Sequence, residues 1–247
     1  MLTRTVLGCL LALLLWPGLG WGAVARVGTP ATAASNPGST CTLTYSPTAG
    51  NFLLVAFVHD AGTTVTSVVD NGASGGSTYA AGLSDVFNTN SNYRFNIYYT
   101  MAAAASVSSI TITVSGSTGV GCIVSEYSGV ATASALDVVS AEADGTGTTQ
   151  TSNSVSPQAG DLEFGLFFNL TSTAAFTATS PFTLVSNRTI TFNGVNFALT
   201  DQLNASTSTA GATTAGSVDW AAYIATFKAA NAGACRRAMS LLGVGDC

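Results

Sequence analysis

The chain has 247 residues, of which 47% are hydrophobic and only 8% are charged. An ordinary soluble domain carries about 25% charged residues. Threonine, serine, glycine and alanine take their place, a mixture that suits short β-strands joined by many turns and differs from charge-rich disordered chains. The formal net charge is −5 and the sequence has no basic cluster. These features argue against nucleic acid as a partner, because binding its phosphates requires clustered positive charge.

The first 25 residues are predicted to be a signal peptide. Arg4 supplies a positive charge ahead of the apolar run "TVLGCLLALLLW", and small residues follow. This run is shorter than the roughly 20 apolar residues that a membrane-spanning helix needs, and no later stretch reaches that length. We therefore expect an exported protein, extracellular or at the cell surface, with no membrane span after signal cleavage.

Two small-residue patterns compete as the cleavage site of this peptide. Ala23-Val24-Ala25 fits the A-x-A pattern and places the cut after Ala25, whereas "GWG" at 20–22 places it after Gly22. We set the boundary after residue 25 and keep Gly22 as the alternative. The rest of the chain is then one domain at 26–230 and a cysteine-bearing C-terminal tail at 231–247.

Export places the chain in an oxidising compartment, where cysteines form disulfides. Four of the five cysteines follow residue 25, and they allow three pairings. We expect Cys41 to pair with Cys122, joining two strands of the domain, and Cys235 to pair with Cys247, closing a loop in the tail. No C-x-x-C spacing occurs and His59 is the only histidine. The cysteines therefore do not indicate a metal site, and no cofactor is expected.

Short segments in which apolar and polar residues alternate follow one another along the chain, as is typical of half-buried β-strands. Turn-forming glycine, serine, threonine and proline residues separate them. In chain order, strands are predicted within residues 39–46, 52–58, 63–70, 77–87, 93–101, 108–116, 120–129, 135–143, 161–168, 188–199 and 218–228.

One of these strands, Phe52–Val58, is apolar at every position. A strand with two apolar faces is covered on both sides. One side would be the core of a sandwich, and the other needs a cover, for which a terminal segment, a long loop and a partner subunit are the candidates. His59 and Asp60 are predicted to mark the point where this strand emerges into solvent.

The clearest hairpin signal is "RTITFNGVNFAL". Asn193-Gly194 is typical of a two-residue type I′ turn, whose central positions both have positive φ. Such a turn pairs Phe192 with Val195 and Ile190 with Phe197. These four residues then share one face of the hairpin, so the turn and the apolar alternation agree.

No stretch before residue 230 has the sustained apolar spacing of a helix, so the crossover helices that connect parallel strands are not expected. The predicted fold class is therefore all-β, an antiparallel and jelly-roll-like β-sandwich. In the tail, a short helix is predicted over Ala234–Leu242, ended by Gly243.

Several segments in the range 39–229 carry a resemblance by their order: "AGNFLLVAFV" (49–58), "VTSVVDNGASGGSTYAAG" (65–82), "NIYYTMAAA" (96–104), "SITITVSG" (109–116), "SEYSGV" (125–130) followed by "ALDV", "AGDLEFGLF" (159–167) and "DWAAYIATFKA" (219–229). Together they resemble a family of secreted bacterial β-sandwich modules with a jelly-roll-like fold. Those modules occur in large extracellular proteins beside immunoglobulin-like or fibronectin-type domains. The resemblance implies a noncatalytic module and provides no catalytic residues.

Three carboxylates are candidates for catalysis. Asp161 and Glu163 lie two residues apart in "DLEFG" and therefore share a strand face, and Glu126 is an acid inside an apolar strand. Glycoside hydrolases need two such groups about 5 to 9.5 Å apart. The competing interpretation of Glu126 is a hydrogen-bonded structural carboxylate. No G-x-S-x-G motif accompanies His59, so no hydrolytic triad is predicted.

Two loops contain oxygen ligands of the kind that calcium prefers. One has Asp70 with Asn71, and the other has Glu142 with Asp144. Neither loop matches the EF-hand pattern, and Asp and Asn are common in turns. Calcium at these positions is an alternative, and the main expectation is no metal.

A row of polar and aromatic residues is the candidate ligand-binding surface. In "YRFNIYY", Arg94, Asn96 and Tyr98 lie on the polar side of the predicted strand. Tyrosine with nearby amide and charged groups is the kind of surface that sugar-binding sandwiches use. Trp220 alternates with apolar residues and is assigned to the core.

Three N-x-S/T sequons begin at Asn169, Asn187 and Asn204. In a eukaryotic host they could accept glycans. In a chain so rich in serine and threonine, such matches are expected by chance.

These features lead to the hypothesis of a secreted, noncatalytic binding or adhesion module whose partner is a polysaccharide or another surface protein. Carbohydrate binding is the more specific form of this hypothesis. A glycan-active hydrolase or lyase is the first alternative. A structural, self-assembling surface protein is the second, because strand edges that lack lysine tend to pair with one another.

Overall fold

The computed structural model describes residues 23–87, 93–117, 119–170, 172–190, 195–205 and 208–230. These residues belong to one compact unit, Ala23–Ala230. The helix predicted at Ala234–Leu242 and the expected disulfide between Cys235 and Cys247 lie outside the described residues. Within the described ranges, no helix is long and apolar enough to cross a membrane.

The described part of the chain forms fifteen strands and one short 3-10 turn, Ala73–Gly75. The strands are β1 (Ala25–Ser35), β2 (Thr40–Thr44), β3 (Phe52–Asp60), β4 (Val65–Asp70), β5 (Ala80–Phe87), β6 (Tyr93–Thr100), β7 (Ser109–Val114), β8 (Val120–Ser128), β9 (Leu136–Val139), β10 (Ala143–Thr151), β11 (Leu162–Asn169), β12 (Phe176–Ala178), β13 (Thr183–Ile190), β14 (Val195–Leu203) and β15 (Gly211–Phe227).

The strands build three antiparallel sheets. The central sheet has the order β1-β8-β3-β6-β5, and a three-stranded sheet has the order β2-β7-β4. The seven-stranded sheet has the order β10-β15-β11-β14-β13, with β9 and β12 also paired to β15. The prediction of an all-β, antiparallel sandwich is confirmed, and the third sheet is an addition that the sequence did not predict.

An aromatic core holds the central sheet against the seven-stranded sheet. The rings of Phe95 and Phe168 lie 4.8 Å apart, and those of Phe52 and Phe227 lie 5.0 Å apart. All four side chains are buried. Aromatic side chains bury a large apolar area, so their packing here stabilises the contact between the two larger sheets.

The other face of the central sheet packs against the three-stranded sheet. In β2, Cys41 and Leu43 are buried while the alternating threonines are exposed. They form one cluster with Val55 and Phe57 of β3. Strand β3 is therefore buried on both faces, as its sequence predicted. The cover is a sheet of the same domain, and not a terminal segment, a long loop or a partner subunit.

A disulfide joins these two layers. Cys41 in β2 is bonded to Cys122 in β8, with the two Cα atoms 6.4 Å apart. Both cysteines are buried. The predicted pairing of Cys41 with Cys122 is confirmed, and the bond ties the three-stranded sheet to the central one.

The outer face of the seven-stranded sheet is covered by its own connections. Phe167 of β11 and Ile224 of β15 pack there with Val155, Phe182 and Ala210 from the segments that cross this face. The side chains of β11 therefore alternate between two cores, which explains why that strand is buried at every position.

Strands β13 and β14 form the predicted hairpin, but in a different register. Ile190 pairs with Val195 and not with Phe197, so four residues separate the two strands instead of two. A shift of two residues leaves every residue on the same strand face. The apolar alternation fits both registers equally and could not distinguish them. Asn193-Gly194 and Phe192 lie outside the described residues.

His59 is fully buried, so the prediction that it marks the emergence of β3 into solvent is wrong for this residue. Its Nδ1 lies 2.8 Å from Thr63 Oγ1, and its ring stacks on Phe57. The chain turns back directly after the strand, with the Thr63 amide donating to the Asp60 carbonyl at 3.1 Å. This turn covers the imidazole, which is a structural histidine.

Candidate ligand-binding groove

An open groove of about 570 Å³ lies at one end of the central sheet. Its volume is in the range of about 300 to 1,000 Å³ found for small-molecule sites. One wall is the loop between β4 and β5, and the other is the segment that follows β6. The residues that line it include Ser74, Ser77, Thr78, Tyr99, Ala102 and Thr132.

The carboxylate of Asp70 organises the first wall. Asp70 Oδ1 accepts hydrogen bonds from the Gly72 amide at 2.9 Å and the Ser77 amide at 3.1 Å. Its Oδ2 accepts one from the Tyr79 hydroxyl at 3.0 Å. The loop therefore wraps around a single acidic side chain at the end of β4.

Two glycines make this wrapping possible. Gly76 has a φ of 83°, and a Cβ atom there would lie 2.5 Å from Asp70 Oδ1. A Cβ atom on Gly72 would lie 2.8 Å from side-chain atoms of both Ala104 and Val107. Both contacts are shorter than packed carbon and oxygen atoms allow, so only glycine fits at either position.

Hydrogen bonds also tie the two walls to each other. The Ala73 amide donates to the Ala105 carbonyl at 2.8 Å, and the Ala104 amide donates to Ser77 Oγ at 2.9 Å. A groove whose walls are linked in this way is formed before any ligand arrives, as is usual for small-molecule sites.

The environment of Asp70 keeps it ionised. Burial alone would raise the pKa of its carboxyl, but the hydrogen bonds from Ser77, Gly72 and Tyr79 together outweigh burial and hold the pKa below its usual value. For Tyr79, burial and the neighbouring Asp70 carboxylate raise the pKa of the hydroxyl. The carboxylate accepts and the hydroxyl donates throughout the neutral pH range.

The lining of the groove is uncharged and mainly apolar, with hydroxyls at a few positions. Ser74, Thr78 and Thr132 are exposed and carry hydroxyls, and none of the described residues that line it is charged. Tyr99 reaches the groove, but its ring is mostly buried and stacks on Phe52 at 5.8 Å. Ligands would therefore be held by hydroxyls, backbone groups and contact with the alanine side chains, with no aromatic platform.

The first predicted calcium pair has other partners. The oxygens of Asp70 accept the protein hydrogen bonds described above. Asn71 Oδ1 accepts from the Ser108 and Ser109 amides, each at 2.9 Å. Oxygens that face N–H and O–H donors are poorly placed to face a cation as well. In the structure both residues fix the loop, and calcium at this pair stays a prediction.

The two residues of the second predicted calcium pair, Glu142 and Asp144, both lie near Tyr223. Glu142 accepts a hydrogen bond from the Tyr223 hydroxyl. Burial raises the pKa of Tyr223, and the charges of Glu142 and Asp144 raise it further. Across the residues that the structure describes, no group of three or more His, Cys, Asp and Glu side chains could hold a metal ion.

Glu126 has the structural role that was its competing interpretation. It is buried and accepts hydrogen bonds from the Thr48 amide at 3.1 Å, Asn51 Nδ2 at 2.5 Å and the Tyr45 hydroxyl at 3.2 Å. All three donors lie between β2 and β3 or at their ends. The carboxylate therefore anchors this connection to β8.

Glu126 cannot act together with Glu163. In β8, Glu126 alternates in step with Val124, which faces the three-stranded sheet. In β11, Glu163 alternates in step with Phe167, which faces the outer side of the seven-stranded sheet. The two acids therefore point away from each other across two sheets packed about 10 Å apart, beyond the separation that a glycosidase pair needs.

Asp161 is held by two backbone amides, one before β11 and one after β15. It accepts hydrogen bonds from the Gln158 amide at 3.1 Å and the Ala229 amide at 3.3 Å. Burial raises the pKa of Asp161, the two amides offset part of this, and the neighbouring Asp137 raises the pKa again. Asp161 thus ties the end of β15 to the turn before β11.

The row Arg94, Asn96 and Tyr98 shares a strand face, as predicted, but does not form an exposed surface. Asn96 is fully buried, and Tyr98 is half-buried against Phe57, with ring centroids 5.5 Å apart. Arg94 donates from Nε to the Ala61 carbonyl at 3.1 Å. This face of β6 is turned toward the cluster beneath the three-stranded sheet, so the row is not the exposed platform that sugar stacking requires.

A partly buried ion pair, which the sequence did not indicate, links the two larger sheets. Arg26 of β1 donates from Nε to Asp201 Oδ2 of β14 at 2.8 Å. The hydroxyls of Tyr127 and Thr183 also donate to this carboxylate, at 2.8 and 2.7 Å. The hydrogen bond with Asp201 raises the pKa of Arg26 despite its partial burial. Residues 175 apart in sequence make this contact, so no local pattern could reveal it.

The groove itself had a local signal. Asp70-Asn71-Gly72 is the kind of Asx turn in which an aspartate accepts from the amide two residues later, and the glycine-rich "GASGG" follows it. The sequence predicted a loop here, but only the structure shows that the segment after β6 lies opposite to it.

Compared with known proteins, the chain matches no family model, no curated protein and no solved structure. A sandwich fold is shared by proteins with many unrelated functions, so the fold does not indicate an activity.

Proposed function

We propose that this protein is an exported, noncatalytic binding module that holds a neutral glycan in the groove beside the Asp70 loop. The observation that carries this proposal is the lining of the groove. Ser74, Thr78 and Thr132 supply exposed hydroxyls, and the described lining residues include no charged group. A neutral glycan offers hydroxyls that both donate and accept, and it brings no charge that would need a counter-charge.

The rigidity of the groove supports the same proposal. The Asp70 carboxylate and the bonds from the Ala73 and Ala104 amides hold both walls in place. A preformed site loses little conformational freedom when a ligand binds. This matters for a site that relies on hydroxyl contacts, because each such hydrogen bond contributes only about 1 kcal/mol net.

The carboxylates considered for catalysis support a noncatalytic role. Glu126 and Asp161 hold connections of the fold, and Glu163 faces away from Glu126 across two sheets. The signal-like first 25 residues and the buried disulfide between Cys41 and Cys122 support export to an oxidising compartment. The resemblance to secreted bacterial sandwich modules implies the same class of function.

A glycan array followed by a polysaccharide pull-down tests the proposal. We expect binding to one or more neutral glycans. The variant Thr78→Arg, which puts a long charged side chain into the groove, should abolish that binding. The matched control Thr66→Arg, at an exposed position of β4 outside the lining, should bind as the wild type does. Equal loss in both variants, or no binding by the wild type, would contradict the proposal.

A second candidate function, self-assembly at a surface, is favoured by the three-stranded sheet. Its edge strand β4 exposes Val69 to 51%, and its outer face carries the threonines of β2 and β7 without a lysine or arginine. Uncharged edges of this kind are templates for strand pairing. Light scattering over a concentration series would detect assembly, and Val69→Lys should suppress it. A monomer at every concentration would exclude this function.

A further inference from the structure

We infer that the signal peptide is removed between Gly22 and Ala23, and not after Ala25; the inference rests on the proposed export of the protein. The step is a hydrolysis in which the peptide bond between Gly22 and Ala23 breaks. Water supplies a hydroxyl to the Gly22 carbonyl carbon and a proton to the Ala23 nitrogen. The mature chain then begins with the ammonium group of Ala23.

Both cleavage patterns satisfy the sequence requirement. A signal peptidase needs small residues one and three positions before the cut. Gly22 with Gly20 meets this requirement, and so does Ala25 with Ala23. The two sites are therefore distinguished by which product keeps the residues that the fold uses.

Val24 decides between the two products. Its side chain is only 3% exposed and belongs to the same buried cluster as Tyr127 and Phe164, between the two larger sheets. A cut after Ala25 would remove this side chain and leave a void in the core, which destabilises a fold because the surroundings relax only in part. Ala23 is exposed and precedes the first strand, so a cut before it costs no core contact.

The start of β1 gives a second and independent reason. Ala25 pairs with Ser128, and Arg26 pairs with Tyr127, in the ladder between β1 and β8. Arg26 also binds the buried Asp201 carboxylate. A cut after Ala25 would make Arg26 the terminal residue. Chain ends that are not tied down on both sides are poorly ordered, so the cation that neutralises Asp201 would lose its fixed position.

The experiment is to express the full chain in a secreting bacterial host and to determine the first residue of the exported protein by N-terminal sequencing and intact mass. We expect Ala23. An exported protein that begins with Arg26 would overturn the inference while leaving export intact. A chain that stays in the cell with residues 1–22 attached would contradict the export on which the inference rests.

Two matched substitutions sharpen the result. Gly22→Leu places a large residue directly before the proposed cut and should block processing. Ala25→Leu places a large residue directly before the rival cut. It should leave processing unchanged, because Ala25 lies after the proposed cut. The fold should also tolerate the larger side chain, because Ala25 is exposed. The opposite pattern would overturn the inference. In the exported protein, Val24→Ala should lower the melting temperature by several degrees, and an unchanged value would remove the structural basis of the inference.

Discussion

Replacing both Cys41 and Cys122 with alanine should lower the free energy of unfolding by about 4 kcal/mol. The bond spans 81 residues of sequence. In the chain-entropy model, a closed loop of that length restricts the unfolded chain enough to stabilise the fold by about 4.5 kcal/mol at 25 °C. Native disulfides in secreted domains typically contribute about 2 to 5 kcal/mol, so the expected loss is at the upper end of that range.

Urea denaturation followed by tryptophan fluorescence measures this loss. Trp220 is the tryptophan that remains after the predicted signal peptide, and it packs over Gly145 in the seven-stranded sheet, away from the disulfide. With an m-value of about 3 kcal/mol/M, the midpoint should fall by about 1.3 M. The m-value should rise slightly, because an unfolded chain without the cross-link exposes more surface.

Two results would refute this reasoning. A loss below about 1 kcal/mol would show that the three-stranded sheet is held without the bond, contrary to the loop-closure argument. Reactive thiols at both positions in the unfolded wild type, without added reductant, would show that the bond does not form. As a control, reducing the wild type in urea should bring its refolding midpoint to that of the double variant.

Three further predictions concern other parts of the fold. Asp70→Asn should lower the melting temperature at neutral pH, and the difference from wild type should narrow as the pH falls below about 4. Hydrogen bonds hold the pKa of Asp70 in the folded protein below its pKa in the unfolded chain. The stability that the carboxylate contributes is therefore fully present above the unfolded pKa and is lost as the carboxylate protonates. A difference that stays constant in thermal melts down to low pH would contradict this. Arg26→Met should lower the free energy of unfolding in urea by about 3 kcal/mol, because it leaves the buried Asp201 carboxylate without its cation. Adding Asp201→Asn to this variant should recover most of the lost free energy. Equal losses in the single and the double variant would argue against a charge effect. In a eukaryotic secretory host, Asn204 should be the sequon that is glycosylated, because its side chain is exposed. The asparagines of the other two sequons, Asn169 and Asn187, hydrogen-bond to backbone groups. Mass spectrometry of Asn204→Gln should then show no glycan.

The strands could be predicted because alternation is a local property. The threonines and apolar residues of β2 alternate in the sequence, and their exposure alternates in the structure. The double-sided burial of β3 was also readable, since both of its alternating sets are apolar. Pairing Cys41 with Cys122 was predictable once the tail cysteines were set aside as a separate pair.

What covers each face could not be predicted, because a pattern reports which side of a strand is buried and not what it is buried against. His59 and Asn96 are both polar residues on a strand face that the sequence takes to be at or near solvent, yet both are fully buried. The cover in each case is contributed by residues distant in sequence or by a turn whose direction depends on tertiary packing. The hairpin register failed for a related reason, since a shift of two residues preserves every face.

The groove could not be predicted from the sequence for the same reason, because a local pattern does not report which segments lie opposite each other. Its first wall could be read as a glycine-rich turn after Asp70. Its second wall, which includes Ala102 and Ala104, lies between two predicted strands and had no signal of its own in the sequence. Hydrogen bonds between the two walls, such as that from the Ala104 amide to Ser77 Oγ, depend on how β4 and β6 are placed in different sheets.

The most direct test of the account is backbone hydrogen exchange, measured by mass spectrometry, with and without the neutral glycan that binds best on the array. We expect the ligand to increase protection in peptides covering residues 72–80 and 99–105, the two walls of the groove, and to leave protection of the three-stranded sheet unchanged. Protection confined to other segments, or none at a saturating ligand concentration, would contradict the assignment of this groove as the binding site.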